Sequence, residues 1–213
     1  MKIGLVDYGA GNLQSVRNAL KSLGRETLLI SEGAQLAAAD TLIFPGVGAF
    51  GDSMRHLRAQ NLEGPLRDWV RAGRPFFGIC IGYQVLFEQS EESPGVQGLG
   101  VFPGAVVRVK ADGLKVPHMG WNAAQLMAPA DPLWDGLGAT PHFYFVHSFH
   151  PVPVDQSLVA ARTDYGVPFA SAIRWPAGAA VQFHPEKSQA AGLRLLANFL
   201  QFSEAHLSMG GAR

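Results

Sequence analysis

The chain has 213 residues, 47% hydrophobic and 16% charged, with 17 basic residues balancing 17 acidic ones and a single cysteine. That length and composition suit one globular domain with a sizeable core and exclude a disordered chain. Neutrality leaves no electrostatic footprint for nucleic acid or an anionic membrane, and one cysteine excludes an internal disulfide framework or a multi-cysteine zinc site.

The opening MKIGLVDYGAGN has no charged-then-apolar signal pattern, and Asp7 interrupts its short apolar run. No apolar stretch approaches the roughly 20 residues that span a bilayer, so the expectation is a cytoplasmic protein. KIGLVD (2–7) reads as a buried strand running into a glycine turn. Asn12 is placed to cap a helix carrying Leu13, Val16, Leu20 and Leu23, which Gly24 stops. ETLLI (26–30) and TLIF (41–44) are further strands, the latter cut off by PGVG (45–48). Residues 52 to 72 suit one or two surface helices interrupted near Gly64-Pro65. RPFFGI (74–79) is a fourth strand, followed by a helix through Val85, Leu86 and Phe87. Strands alternating with helices imply a parallel sheet covered on both faces.

The second half changes character. GVFPGAVVRV, HFYFVHSF, LVAART, FASAIRW and GAAVQF are strand-like runs between short turns, expected to extend the parallel sheet as mostly antiparallel strands. A last helix carries Leu193, Leu196, Phe199 and Leu200 on one face, with Ser188 as its cap. The expectation is a single domain over 1–207 with a frayed tail at 208–213.

Cys80 lies in GICIGYQ, between Gly78 and Gly82 and directly after an apolar strand. A lone cysteine is most often a buried structural residue. The glycine bracket suggests instead a strand-to-helix elbow that exposes a nucleophile, with the following helix N-terminus favouring thiolate. A catalytic cysteine needs a histidine base, itself oriented by a carboxylate. His184 stands at the end of the apolar run AAVQF, and Pro185 keeps it extended. In an extended chain Glu186 shares its face. The plainer reading is a surface histidine in a turn. His142, His147 and His150 alternate in direction along a strand and do not converge on a metal; His56, His118 and His206 sit in no ligand pattern.

The first glycine turn has Gly9 and Gly11 but Gln14 at the third position, so the dinucleotide fingerprint is incomplete. PGVG ends a strand expected beside the one leading to Cys80. A glycine-flanked peptide there can aim a backbone N–H at an oxyanion, although a plain turn has the same sequence.

Taken in order, PGVG, GICIGYQ and HPE make the chain resemble the class I glutamine amidotransferases. DYGAGNLQSV, FPGVGAFGDSM, KVPHMGWN, FYFVHSF and QFHPEKS narrow the likeness to the branch paired with a cyclase in histidine biosynthesis. The resemblance covers essentially the whole chain. It implies a three-layer α/β fold, with a mostly parallel central sheet, and hydrolysis of L-glutamine without metal or cofactor. It makes Cys80 the nucleophile, His184 the general base and acid, and Glu186 the orienting carboxylate. Gln84 and Glu92 would hold glutamine, with backbone around Gly46 and at Ser148 and Phe149; the N–H groups of Val47 and Ile81 would form the oxyanion hole. Asn12, Trp121, Tyr144 and Lys187 would face the partner, a (β/α)8-barrel cyclase subunit, in a heterodimer. Ile81 and Tyr83 stand where Leu and Met are expected, and Phe149 and His150 follow the HS pair where Tyr is more usual. These departures bear on glutamine affinity and leave the triad intact. The rival readings are a glutaminase of the anthranilate or guanylate synthase type and a thiol hydrolase that needs no partner.

Overall fold

The structure, a computed structural model, describes residues 1–9 and 12–210. Gly11 of the incomplete dinucleotide pattern lies outside them. The first half alternates strands and helices: β1 (Ile3–Val6), α1 (Leu13–Ser22), β2 (Thr27–Ile30), β3 (Thr41–Gly46), α2 (Phe50–Ala59), α3 (Glu63–Arg71), β4 (Phe76–Cys80) and α4 (Ile81–Gln84). The second half is mostly strand: β5 (Gln89–Ser90), β6 (Gly104–Arg108), β7 (His118–Ala123), β8 (Gln125–Leu126), β9 (His142–His147), β10 (Phe149–Pro153), β11 (Val159–Tyr165), β12 (Val167–Trp175) and β13 (Gly178–Val181). The helix α5 (Gln189–Gly210) follows.

The main sheet runs β2-β1-β3-β4-β13-β12-β11-β8. Its first five strands are parallel, and β12, β11 and β8 continue it antiparallel. Because side chains alternate along a strand, each central strand feeds two cores. Leu5, Ile43, Phe77 and Ile79 pack with Val16 and Leu20 of α1 and Leu196 and Phe199 of α5. Val6, Leu42, Phe44 and Phe76 pack on the other face with Met54 and Leu57 of α2 and Leu66 and Trp69 of α3. Each such fully buried side chain contributes roughly 1.5–3 kcal/mol against exposure. This is the three-layer architecture expected. Among the described residues no helix is long and apolar enough to cross a membrane.

Several local expectations are corrected. β13 pairs parallel to β4, so the parallel part of the sheet includes the strand that leads to His184. The runs around β6, β9 and β10 do not extend the main sheet: β10-β6-β5 and β7-β9 form two small sheets of their own. The break between α2 and α3 falls at Gln60–Leu62, where Asn61 has φ +52°, and not at Gly64-Pro65. Pro65 sits in the first turn of α3, where its missing N–H costs nothing. Both helices lie on the surface as expected, burying an apolar face and exposing residues such as Asp52, Arg55, Asp68 and Arg71. The helix after Cys80 is a single turn. The carbonyls of Val85 and Leu86 accept from Leu99 and Val101 N–H (2.7 and 2.9 Å), so they are not available to continue it. The hydroxyl of Ser188 donates to His184 O and accepts from Tyr144 N–H, leaving only its carbonyl, bonded to Gly192 N–H, to start α5. That helix runs through Gly210, three residues into the stretch read as a frayed tail.

Candidate active site

β3, β4 and β13 are neighbours and parallel, so their carboxyl ends open on one edge of the sheet, where ligands of doubly wound folds bind. Pro45 is tolerated in β3 because pairing with β1 stops at Ile43, and its missing N–H breaks no ladder bond on that side. Gly46, which ends β3, lies opposite Cys80, which ends β4.

Cys80 has φ +54° and ψ −107°, a conformation that costs a non-glycine residue on the order of 1–3 kcal/mol. Its flanking glycines make the turn sterically possible. A Cβ on Gly78 would lie 2.5 Å from the carbonyl oxygen of Gly82. A Cβ on Gly82 would overlap the carbonyl oxygen of Phe44 on β3. The cysteine is a buried free thiol. A one-turn helix has little macrodipole, so the expected support of a thiolate by a helix N-terminus is not available. His184 is the cationic group that interacts with the sulfur instead.

His184 and Glu186 are both in place, by a different geometry from the extended chain expected. His184 is extended (φ −105°, ψ 96°), but Pro185–Lys187 form a 3₁₀ turn that folds Glu186 back. Nδ1 of His184 donates to Oε1 of Glu186 at 2.8 Å, with both side chains 2% exposed. Burial alone would lower the imidazole pKa. The nearby Cys80 sulfur and the Glu186 carboxylate outweigh that and push it up to about 10. The imidazole is thereby favoured in its charged form.

A cavity of about 330 Å³ adjoins the thiol, lined by Val47, Cys80, Ile81, Gln84, Glu92 and the Ser148–Phe149 peptide. Nε2 of Gln84 donates to Phe149 O (3.0 Å) and to Oε1 of Gln182 (3.2 Å). Both amide hydrogens are thereby committed, and Oε1 is what Gln84 can offer a ligand. Oε2 of Glu92 accepts from Phe50 N–H (2.7 Å) at the start of α2, which ties this wall of the cavity to that helix. Ser148 O accepts from Val109 N–H at 2.9 Å. At the Val47 end of the cavity, burial pushes the Tyr8 phenol up to about 12, and its hydroxyl donates to Val47 O at 3.4 Å.

Trp121 and Tyr144 pair across β7 and β9 with ring centroids 6.3 Å apart, and Nζ of Lys187 lies 5.8 Å from the Tyr144 ring. Trp121 is 48% exposed. Asn12 is at the start of α1, where its side chain accepts from Ser15 N–H (3.3 Å). Three of the four residues expected to face a partner thus form one cluster, and Asn12 also serves as the helix cap.

Gln182 near the thiol, and the pair His118 and His147 beside the cavity, are not assigned to the site by the sequence. Gln182 is fully buried, and its Nε2 donates to Cys80 Sγ at 3.7 Å. It is the one polar residue in the apolar run AAVQF, a signal that was available. His118 and His147 are hydrogen-bonded to each other at 3.0 Å, although 29 residues separate them. No local pattern marks that pairing.

A doubly wound sheet with a strained, glycine-flanked turn at its carboxyl edge, beside a cavity, defines as a class a three-layer α/β protein with its candidate site at that edge. Residues 4–202 match the family Glutamine amidotransferase class-I, and the chain belongs to that family. It is 50% identical over 206 residues to the imidazole glycerol phosphate synthase subunit HisH of Nitrosococcus oceani, covering 94% of this chain and 97% of that one. It is 48% identical over 201 residues to the protein of the same name from Synechococcus elongatus, covering 93% and 92%. A crystal structure of a glutamine amidotransferase superposes with a TM-score of 0.73 at 25% identity, covering 96% of this chain and all of that one.

Proposed function

We propose that the protein is the glutaminase subunit of imidazole glycerol phosphate synthase, working through Cys80, His184 and Glu186 and feeding ammonia to a (β/α)8-barrel cyclase subunit. Near-half identity to HisH proteins over nearly the whole chain supports the subunit assignment. The observation that carries the chemistry is the strained, buried Cys80 at the end of β4, next to the strand that leads to His184, itself hydrogen-bonded to Glu186.

In this reading the Cys80 thiolate attacks the side-chain amide carbon of glutamine. The oxyanion is held by the N–H groups of Val47 and Ile81, each such donor being worth about 2.7–4 kcal/mol to the transition state. His184 gives its proton to the leaving nitrogen, which departs as ammonia and leaves a thioester. The now neutral imidazole takes a proton from water, which attacks the thioester carbon and releases glutamate and the thiolate. Oε1 of Gln84 and the Glu92 carboxylate suit the substrate's α-ammonium group, and peptide N–H groups at Ser148–Phe149 suit its carboxylate. The Trp121–Tyr144–Lys187 cluster suits the cyclase, where ammonia would give imidazole glycerol phosphate and aminoimidazole carboxamide ribotide.

The test is Cys80→Ala in the reconstituted complex with the cyclase. Glutamine-dependent synthesis should vanish while synthesis from added ammonia survives. Persistent glutamine-dependent turnover would show that Cys80 is not the nucleophile, and failure to assemble with a barrel cyclase would favour a glutaminase of another synthase.

A further inference from the structure

His118 and His147 face each other across β7 and β9, in register and almost fully buried at 2% and 6% exposure. The hydrogen bonds around them can be assigned in one direction only. Nδ2 of Asn122 is a donor, and it donates to Asp164 O (2.8 Å) and to His118 Nε2 (3.2 Å). His118 Nε2 therefore accepts, so in a neutral ring Nδ1 carries the hydrogen and donates to His147 Nε2 at 3.0 Å. His147 Nε2 accepts in turn, which leaves its hydrogen on Nδ1, 2.9 Å from Phe149 O. That oxygen can only accept, so the chain is consistent from the amide at one end to the carbonyl at the other.

The rings are held for this purpose. His118 is stacked between Phe145 (4.8 Å, 22°) and Tyr165 (4.0 Å, 23°). Burial pushes the pKa of His118 down to about 4 and, with the neighbouring histidines, that of His147 to about 3, so both rings are neutral at physiological pH. The other tautomer of His147 would set a lone pair against Phe149 O and an N–H against the N–H of His118.

We propose that His118 is a positioning residue for glutamine binding: it locks His147 in the Nδ1–H tautomer, and His147 with Gln84 clamps the Phe149 carbonyl and so the Ser148–Phe149 wall of the cavity. The inference rests on the glutaminase reading above. Both lone pairs of Phe149 O are taken within the protein, by Gln84 and His147. The carbonyl therefore acts as an anchor for the start of β10, and with it for the Ser148–Phe149 peptide that lines the cavity.

The test compares His118→Phe, which keeps an aromatic ring but has no donor, with His118→Gln, which restores an N–H donor toward His147. Both are assayed in the complex that hydrolyses glutamine. His118→Phe should raise the KM for glutamine on the order of three- to tenfold, the range a lost neutral hydrogen bond supports, with a smaller change in kcat. His118→Gln should recover most of that loss. Imidazole nitrogen NMR of the wild-type protein should show His147 protonated at Nδ1, a measurement that needs no variant to fold. A wild-type His147 protonated at Nε2, an unchanged KM in His118→Phe, or a Gln variant as impaired as the Phe variant would each overturn the proposal. A wild-type complex that hydrolyses no glutamine would instead defeat the functional reading and this inference with it.

Discussion

Gln182 Nε2 lies 3.7 Å from Cys80 Sγ, and Oε1 of the same side chain accepts from Gln84 at 3.2 Å, so one buried amide joins the Cys80 sulfur to a wall of the cavity. Gln182 precedes His184 by two residues and follows β13, so the strand that delivers the imidazole also delivers this amide. Replacing it with leucine would leave an amide hydrogen of Gln84 buried with one acceptor fewer. Leaving a buried donor unpaired costs about 1–3 kcal/mol. In a domain of this size each kcal/mol lowers Tm by about 2–4 °C. Thermal unfolding of Gln182→Leu should show that loss, and alkylation of Cys80 by a small reagent should change in rate because the sulfur loses its donor. A variant matching wild type in both would mean the contact is incidental.

Two glycines offer opposite outcomes for the same substitution. Gly82→Ala drives a Cβ into the Phe44 carbonyl, which is backbone of the central sheet and cannot step aside. Overpacking of this kind costs typically 1–3 kcal/mol or more, and it should also displace the elbow and abolish glutaminase activity. Gly64 is in α3 with nothing within 4 Å of an added Cβ. Gly64→Ala should stabilise by about 0.4–1 kcal/mol by reducing the freedom of the unfolded chain, and leave activity unchanged. Urea unfolding of the pair checks both signs.

The elements that were legible in the sequence are those whose signals are local. β1, β3 and β4 are apolar runs with a glycine at or within three residues of their end, and Asn12 does accept from Ser15 N–H as a helix cap. The elbow was legible because Gly78 and Gly82 answer to contacts within or beside the turn. Direction and pairing were not. The run GAAV reads the same whether β13 lies parallel or antiparallel to β4, and only the packed sheet decides. β7, HMGWNA, has no apolar run to announce it, so the register that puts His118 opposite His147 was hidden. The length of α4 was hidden too, since it is set by which distant N–H groups claim the carbonyls of Val85 and Leu86.

The buried histidine pair should make the fold sensitive to mild acid. In the unfolded chain both rings titrate near pH 6.5, while in the folded protein His118 stays neutral to about 4 and His147 to about 3. Below pH 6.5 the unfolded state therefore binds more protons, and stability falls as pH falls through that window. His150, lowered by burial, acts in the same direction, whereas His184, raised, is protonated in both states below its unfolded value and does not oppose it there. The urea midpoint should drop between pH 7 and pH 5, a range in which ordinary carboxylates remain ionised, and the drop should shrink in His118→Phe. A midpoint flat across that range would contradict neutral burial of the pair.

His184 should show the reverse dependence. Its folded pKa of about 10 lies above the unfolded value of 6.5, so its contribution to stability is fully present below pH 6.5 and is lost as pH rises through 10. Among the influences that raise it, the charge on Cys80 is the largest and Glu186 acts with it. Cys80→Ala should therefore lower the His184 pKa toward its ordinary range. It should also flatten the alkaline loss of stability, even though it removes a residue from the core. Glu186→Gln should lower it less, because the sulfur remains, and the imidazole should become less firmly oriented. An NMR titration of the His184 ring in the three proteins measures this order directly. If Cys80→Ala leaves the His184 pKa where it is in wild type, the proton on His184 is not held by the thiolate, and the ion pair at the centre of the mechanism would have to be abandoned.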